Sequence, residues 1–297
     1  MTIVSIGEIL WDVFERGEHL GGAPFNFAAH AARLHHTVVF VSAVGVDERG
    51  RLALERAAEL GLSTRYIRRV TQQGTGVVSV AVDPAGQPSF TIHRPAAYDF
   101  PRLSAEDLQE LCAQRPDWIY FGTLHQMSLE ARELTRRLME ASPRARRFYD
   151  VNLRVNSYEP ALVRELLGLA TLVKLNEGEA RLTEQMFGRS PGSLEQFCRS
   201  FAREFGWEGA CVTRGAQGCA LLLGGEYLEA PGYQVQVADT VGAGDAFAAA
   251  LIHGLGASWG ALEIADFANR VGALVASRSG AIPVWTMEEV RALSREA

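Results

Sequence analysis

The sequence predicts an α/β fold built on a mostly parallel central sheet. Three observations carry that expectation. Short apolar, β-branched runs alternate with longer amphipathic stretches along most of the chain, as strands joined by crossover helices do. The alternation is interrupted by β-rich segments near 11–20 and 74–99, which predict a small second sheet. The 297 residues, 47% of them hydrophobic, suffice for one large core, with no repeat or low-complexity linker to divide it. A single domain over 1–297 is therefore expected, with the small sheet inserted in it.

The elements follow in order. TIVSIGEI (2–9) reads as a buried first strand, and PFNFAAHAARL (24–34) as a helix with Pro24 in its first turn. VVFVSAV (38–44) is the next strand, and an amphipathic helix after it closes near Gly61. VVSVAVD (77–83), a turn at 84–87 and SFTIHR (89–94) read as a hairpin. Alternation then resumes with helix 104–114, strand 117–122, helix 128–141, strand 146–151 and helix 160–169. Strand 171–175, helices 177–187 and 193–205 and strand 209–214 follow. Strands near 218–223 and 226–238 precede two long helices, 244–255 and 259–277.

Composition excludes several classes. A net charge of -6 gives no overall basic field for nucleic acid or anionic membranes, so neither is an expected partner. Cys112, Cys198, Cys211 and Cys219 form no C-x-x-C pair and no disulfide framework; reduced, mostly buried thiols are expected. His93 and His125 lack metal-ligand spacing and read as loop or core histidines. MTIVSIGEILWD has no basic opening or cleavage site, and no apolar run approaches the ~20 residues of a membrane span, so a cytoplasmic location is expected. Of the 29 Lys+Arg residues only Lys174 is lysine. Its compact charge differs from arginine's planar fork.

Ligands of open α/β sheets gather beyond the strand ends, where five stretches stand out. In DTVGAGDAF (239–247) a glycine turn opens an apolar helix, whose free N–H groups and dipole favour an anion. Asp245 falls in the first turn. It is either a capping charge or, beside an anion, the base that takes a proton from an attacking hydroxyl. GGAPFN (21–26) places Asn26 one turn into a helix, and Asp12 follows the first strand; both are either solvated polar residues or holders of polyol hydroxyls. LVKLNEGEA (172–180) sets Lys174 at a strand end before Asn176 and Glu179. That N-x-x-E arrangement is either a capped helix or a carboxylate holding a water of hydrated Mg²⁺. TRGAQG (213–218) is a hairpin turn or a seat for a nucleotide. In YDVNLR (149–154), Arg154 is a surface charge or a substrate contact.

Taken in order and spacing, GEILWD, GGAPFNFAAHAARL, VGVDERGRLALERAAELGL, LNEGE, DTVGAGDAF and FANRVGALVASRSGAIP resemble the ribokinase-like carbohydrate kinases across nearly the whole chain. YDVNLR and FTIHRPAAYD are similar to the fructokinase branch. The resemblance implies a three-layer αβα body, a β-sheet lid formed by about 11–20 and 74–99, and a homodimer through that lid. It implies ATP-dependent transfer of the γ-phosphoryl group to a primary hydroxyl of a small sugar, fructose favoured, with other sugar, keto-sugar-acid or nucleoside acceptors, or a non-catalytic sugar- or nucleotide-binding sensor, as alternatives. Asp245 would be the base, and the amides of Gly242, Ala243 and Gly244 the anion hole. Asp12, Gly22 and Asn26 would hold sugar hydroxyls, with Gln126 and Arg154 nearby. Lys174, Asn176, Thr213, Gly215 and Asn269 would serve the nucleotide, and Glu179 the Mg²⁺ through water. Asp239, with carbonyls of Val241, Val275, Arg278 and Gly280, would form a site for a monovalent cation such as K⁺, although Val284 stands where a side-chain oxygen is expected. Phe25 replaces a small residue and would reshape the sugar pocket; Val151 replaces a proline.

Overall fold

Strand and helix alternate as the sequence pattern requires. The computed structural model describes residues 1–15, 17–82 and 88–295. Its strands are β1 (Thr2–Ile6), β2 (Leu10–Phe14), β3 (Gly17–Gly21), β4 (Thr37–Gly45), β5 (Ile67–Val70), β6 (Gly76–Val82), β7 (Pro88–His93), β8 (Trp118–Gly122), β9 (Arg146–Asp150), β10 (Leu172–Asn176), β11 (Gly209–Thr213), β12 (Cys219–Leu223) and β13 (Glu226–Ala230). The helices are α1 (Ala23–Arg33), α2 (Glu48–Glu59), α3 (Ala105–Ala113), α4 (Thr123–Gln126), α5 (Leu129–Ala141), α6 (Pro160–Leu169), α7 (Glu177–Met186), α8 (Leu194–Phe205), α9 (Ala243–Gly256), α10 (Ala261–Ala276) and α11 (Met287–Ala292).

Nine strands form one sheet in the order β13-β12-β11-β10-β9-β8-β1-β4-β5. The pairs β1–β4, β4–β5, β9–β10 and β10–β11 are parallel, and β11–β12–β13 is antiparallel. A second sheet has the order β3-β2-β6-β7. The β-rich interruptions thus make a small separate sheet, joined by the parallel β2–β6 pair.

Contacts divide the chain into two units, one of Thr2–Ile119 with His125–Ala145, the other of Met1 and Tyr120–Leu124 with the residues from Arg146 onward. In the first, β1 and β4 are almost wholly buried and α1 covers them. Phe25 packs on Phe40 with ring centroids 5.7 Å apart, and Ser5 Oγ donates to Pro24 O at 2.8 Å, so the buried hydroxyl is satisfied. Phe25 is fully buried, so it belongs to the core. In the small sheet, β6 buries Val78 and Val80 while Ser79 between them is exposed, the one-sided burial that antiparallel strands permit.

In the second unit, α9 is buried continuously from Asp245 to Ile252, as a helix that is apolar all round must be. α8 contributes a stack of Phe197, Phe201 and Phe205 on Trp207, whose indole N–H donates to Leu167 O at 2.8 Å.

Some boundaries differ from expectation. The first strand ends at Ile6, whereas β2 and β3 pair antiparallel within the segment 11–20, as part of the expected small sheet. The last strand stops at Ala230 instead of running to 238, because Pro231 has no N–H to continue the ladder. β5, α4 and α11 carry too few residues to show a periodicity. The turn expected at 84–87 lies outside the described residues.

Candidate active site

The site elements of the second unit converge on the strand ends of β9, β10 and β11 and the start of α9. Gly242 caps α9 with φ 78°, and a Cβ there would fall 2.2 Å from Ala281 O, so only glycine fits. Asp245 lies one turn in and is buried, where the positive end of the helix dipole favours its charge. The three turn amides differ. Ala243 N–H donates to Thr240 O at 3.3 Å and Asp245 N–H to Gly242 O at 3.1 Å. Among the described residues, the N–H groups of Gly242 and Gly244 make no hydrogen bond. Of the three amides expected to form an anion hole, that of Ala243 closes the turn. Gly244 is exposed.

Asp239 ties this turn to the loop after α10. Its Oδ1 accepts from Val241 N–H at 3.0 Å, and its Oδ2 accepts from Gly280 N–H at 3.1 Å. Val275 O accepts from Arg278 N–H at 3.0 Å, and the Arg278 guanidinium bonds Val284 O and pairs with Glu289 at 2.6 Å.

At the end of β10, Lys174 is 6% exposed, and its Nζ lies 2.9 Å from both carboxylate oxygens of Asp150. Tyr120 Oη donates to the same carboxylate at 2.9 Å. Burial works to lower the Lys174 ammonium, but Asp150, with Glu179 and Asp245 behind it, holds it above the ordinary lysine value. Lys174, expected at the nucleotide, is thus enclosed and commits two of its three N–H donors to the Asp150 carboxylate.

Asn176 and Glu179 form a reciprocal capping box, with Glu179 N–H donating to Asn176 Oδ1 at 2.9 Å and Asn176 N–H to Glu179 Oε2 at 2.8 Å. Glu179 Oε1 also accepts Leu153 N–H at 2.7 Å, which fixes the loop bearing Arg154. Burial pushes the Glu179 carboxyl up, against the opposing amide of Asn176 and the Lys174 charge. Each oxygen keeps a free lone pair, so the donor set fits a water of a hydrated Mg²⁺. Thr213 Oγ1 bonds Leu175 O at 3.4 Å, Gly215 is exposed in the turn after β11, and Asn269 on α10 is buried with its Nδ2 3.3 Å from Pro231 O. Arg154 is exposed.

The first unit carries the remaining candidates. Gly22 caps α1 at φ 110°, and a Cβ there would sit 2.4 Å from Glu8 O. Asn26 is buried in the next turn, and the Asp12 carboxylate borders Gly21 from β2. Gln126 is fully buried with its Nε2 donating to Thr135 Oγ1 at 2.9 Å, while its Oε1 has no hydrogen-bond partner. His93 is an exposed residue at the end of β7 against Ser79 Oγ rather than a loop or core residue, and His125 is fully buried, a core histidine as expected. All four cysteines are free, three of them buried. No cluster of metal-binding side chains occurs among the described residues. In the same residues no helix is long and apolar enough to cross a membrane.

Sequence reasoning missed the Lys174–Asp150 pair. Lys174 and the YDVNLR stretch that contains Asp150 both stand out in the sequence, but the two residues lie 24 positions apart, and only the β9–β10 register Lys174↔Asp150 brings them together.

A mostly parallel sheet with a small second sheet, and a buried carboxylate beside free amides at a glycine-capped helix, define an α/β phosphotransferase with an alcohol acceptor. The pfkB family carbohydrate kinase profile matches residues 5–287, and the chain belongs to that family of sugar kinases. It is 31% identical to the fructokinase of Escherichia coli over 276 residues, 88% of this chain and 87% of that protein. It is 27% identical to the aminoimidazole riboside kinase of Salmonella typhimurium, covering 88% of this chain and 83% of the relative. Among solved structures, the sugar kinase PH1459 of Pyrococcus horikoshii in complex with ATP superposes with a TM-score of 0.80 at 28% identity, over 94% of each chain.

Proposed function

We propose that this chain transfers the γ-phosphoryl group of ATP to a primary hydroxyl of a small sugar, fructose being the favoured acceptor. The observation that carries the reading is Asp245, buried in the first turn of α9 next to the unbonded amides of Gly242 and Gly244. A carboxylate beside an anion site is electrostatically unfavourable unless it takes up a proton during the reaction. When bound, ATP with Mg²⁺ supplies the phosphoryl group and neutralises part of its charge. Asp245 accepts the hydroxyl proton, and the Gly242 and Gly244 amides hold the transferring anion. Ala243 contributes through the helix dipole.

Asp12, Gly22 and Asn26 are the proposed holders of sugar hydroxyls, with Arg154 at the end of the β9 loop. Thr213, Gly215 and Asn269 are proposed for the nucleotide, Asn176 for its phosphates and Glu179 for the hydrated Mg²⁺. The small sheet is proposed as the lid of one kinase domain and as its dimer contact, in a cytoplasmic enzyme. A K⁺ at Asp239, Val241, Val275, Arg278 and Gly280 fits the residues poorly. Val284 presents no side-chain oxygen to complete the set.

Fructose is favoured by the 31% identity to a fructokinase, and a riboside acceptor is the second reading, favoured by the 27% identity to a riboside kinase. Coupled ADP release with fructose, ribose, tagatose, ketodeoxygluconate and adenosine separates them. Asp245→Asn is expected to lower kcat by about 10²–10⁴ on the preferred acceptor. Equal rates for Asp245→Asn and wild type would remove Asp245 as the base.

A further inference from the structure

We infer that Lys174 is a positioning residue for phosphoryl transfer, a fixed buried cation beneath the GAGD turn that supports the anion site without touching the ligand. The inference rests on the sugar-kinase reading and adds a residue to it. Three observations carry it. A Cβ placed on Gly244 would lie 3.6 Å from Lys174 Nζ, so the ammonium stands next to the turn, and Gly244 itself is exposed. An ammonium carries three N–H donors, and Asp150 takes two of them at 2.9 Å. The pair is enclosed, with side-chain exposures of 8% and 1%, where a charge acts through little screening.

Stability alone is a weak reason for such a pair. Removing two charges from water costs nearly what their attraction returns, and apolar replacements of similar size are often as stable. A charge at this place does have a task, since negative charge collects over Gly242 and Gly244 as the phosphoryl group moves. Asp150 holds the ammonium in place, fixed in turn by Tyr120 Oη and by its position at the end of β9. The side-chain type fits too. The other 28 Lys+Arg residues of the chain are arginine, whose charge spreads over a planar fork, whereas the ammonium beside Gly244 is a compact point charge.

A purely structural role would act through the loop. The Lys174 carbonyl accepts Val151 N–H at 2.9 Å, so loosening this region would shift Arg154 and raise the sugar KM. A charge role lowers kcat instead. The test is Lys174→Met combined with Asp150→Asn, which removes both charges and keeps the Tyr120 hydrogen bond, with Lys174→Met and Lys174→Arg as single variants. Thermal unfolding identifies the variants that fold. In a folded double variant, kcat is expected to fall about 100-fold or more with the sugar KM within about threefold, and Lys174→Arg is expected not to restore it. A folded double variant with kcat within about threefold of wild type, or with its loss confined to the sugar KM, overturns the inference. If wild type phosphorylates none of the acceptors, the sugar-kinase reading fails on its own, and the lysine is judged by calorimetry. ATP binding is then expected to weaken about tenfold or more in the double variant with ADP binding nearly unchanged, and unchanged binding of both nucleotides overturns the inference.

Discussion

Gly242 and Ala281 meet so closely that the first of them has no room for a side chain: a Cβ would stand 2.2 Å from the Ala281 carbonyl oxygen. The same glycine takes φ 78° to open α9, so backbone geometry and packing both demand it. Gly242→Ala is expected to cost about 2–4 kcal/mol in urea unfolding, from left-handed strain plus overpacking, and to lower kcat with it. Wild-type stability and rate in this variant would mean that the turn relaxes freely.

Asp239 joins that turn to the loop after α10 through the amides of Val241 and Gly280. Asp239→Asn removes one of the two bonds, because an amide nitrogen cannot accept from an N–H, and kcat is expected to fall about tenfold with faster amide exchange across 276–284. Replacing K⁺ by Na⁺ in the assay is expected to change the wild-type rate by less than about threefold. Strong dependence on K⁺ would show that the carbonyls of this loop bind the ion despite Val284.

Val151 donates its N–H to the Lys174 carbonyl at 2.9 Å, extending the β9–β10 pairing by one bond. Proline cannot make it. Val151→Pro is expected to destabilise the fold by roughly 1–3 kcal/mol, leaving a buried carbonyl without its donor, while acceptor preference stays the same. A stability gain in chemical denaturation would show that the rigid backbone outweighs the lost bond.

Burial lowers the fully enclosed His125 imidazole to about 3, against the ordinary value of 6.5. The folded state thus excludes a proton that the unfolded state binds between those values. The contribution of His125 is fully present above about 6.5 and is lost as pH falls toward 3. Stability should drop by about 1.4 kcal/mol per pH unit more in wild type than in His125→Asn over that window. Parallel pH profiles for the two proteins would contradict the buried neutral imidazole.

Much of the fold was legible because its signals are local. The apolar runs of β1, β4, β8 and β10 and the capping pattern of Asn176 and Glu179 lie within a few residues of one another. Short elements such as β5 and α11 carry too few residues to show a period. Phe25 illustrates the limit at the site: standing where the resembling branch has a small residue, it was expected to reshape the sugar pocket, and only the structure shows it fully buried against Phe40. The bond from Gln126 to Thr135 likewise depends on how α5 packs, which no local pattern records.

The sequence by itself determined the α/β class, the family and the place of Asp245 in the first turn of α9. Each of these rests on residue order, periodicity and a glycine turn that any reader of the chain can see. Only the tertiary structure decided which amides of that turn are free, that Asp239 bonds both its loops, and that the one lysine lies buried on Asp150. Those are matters of strand register and enclosure, which bring together groups 24 or more positions apart and withdraw them from water.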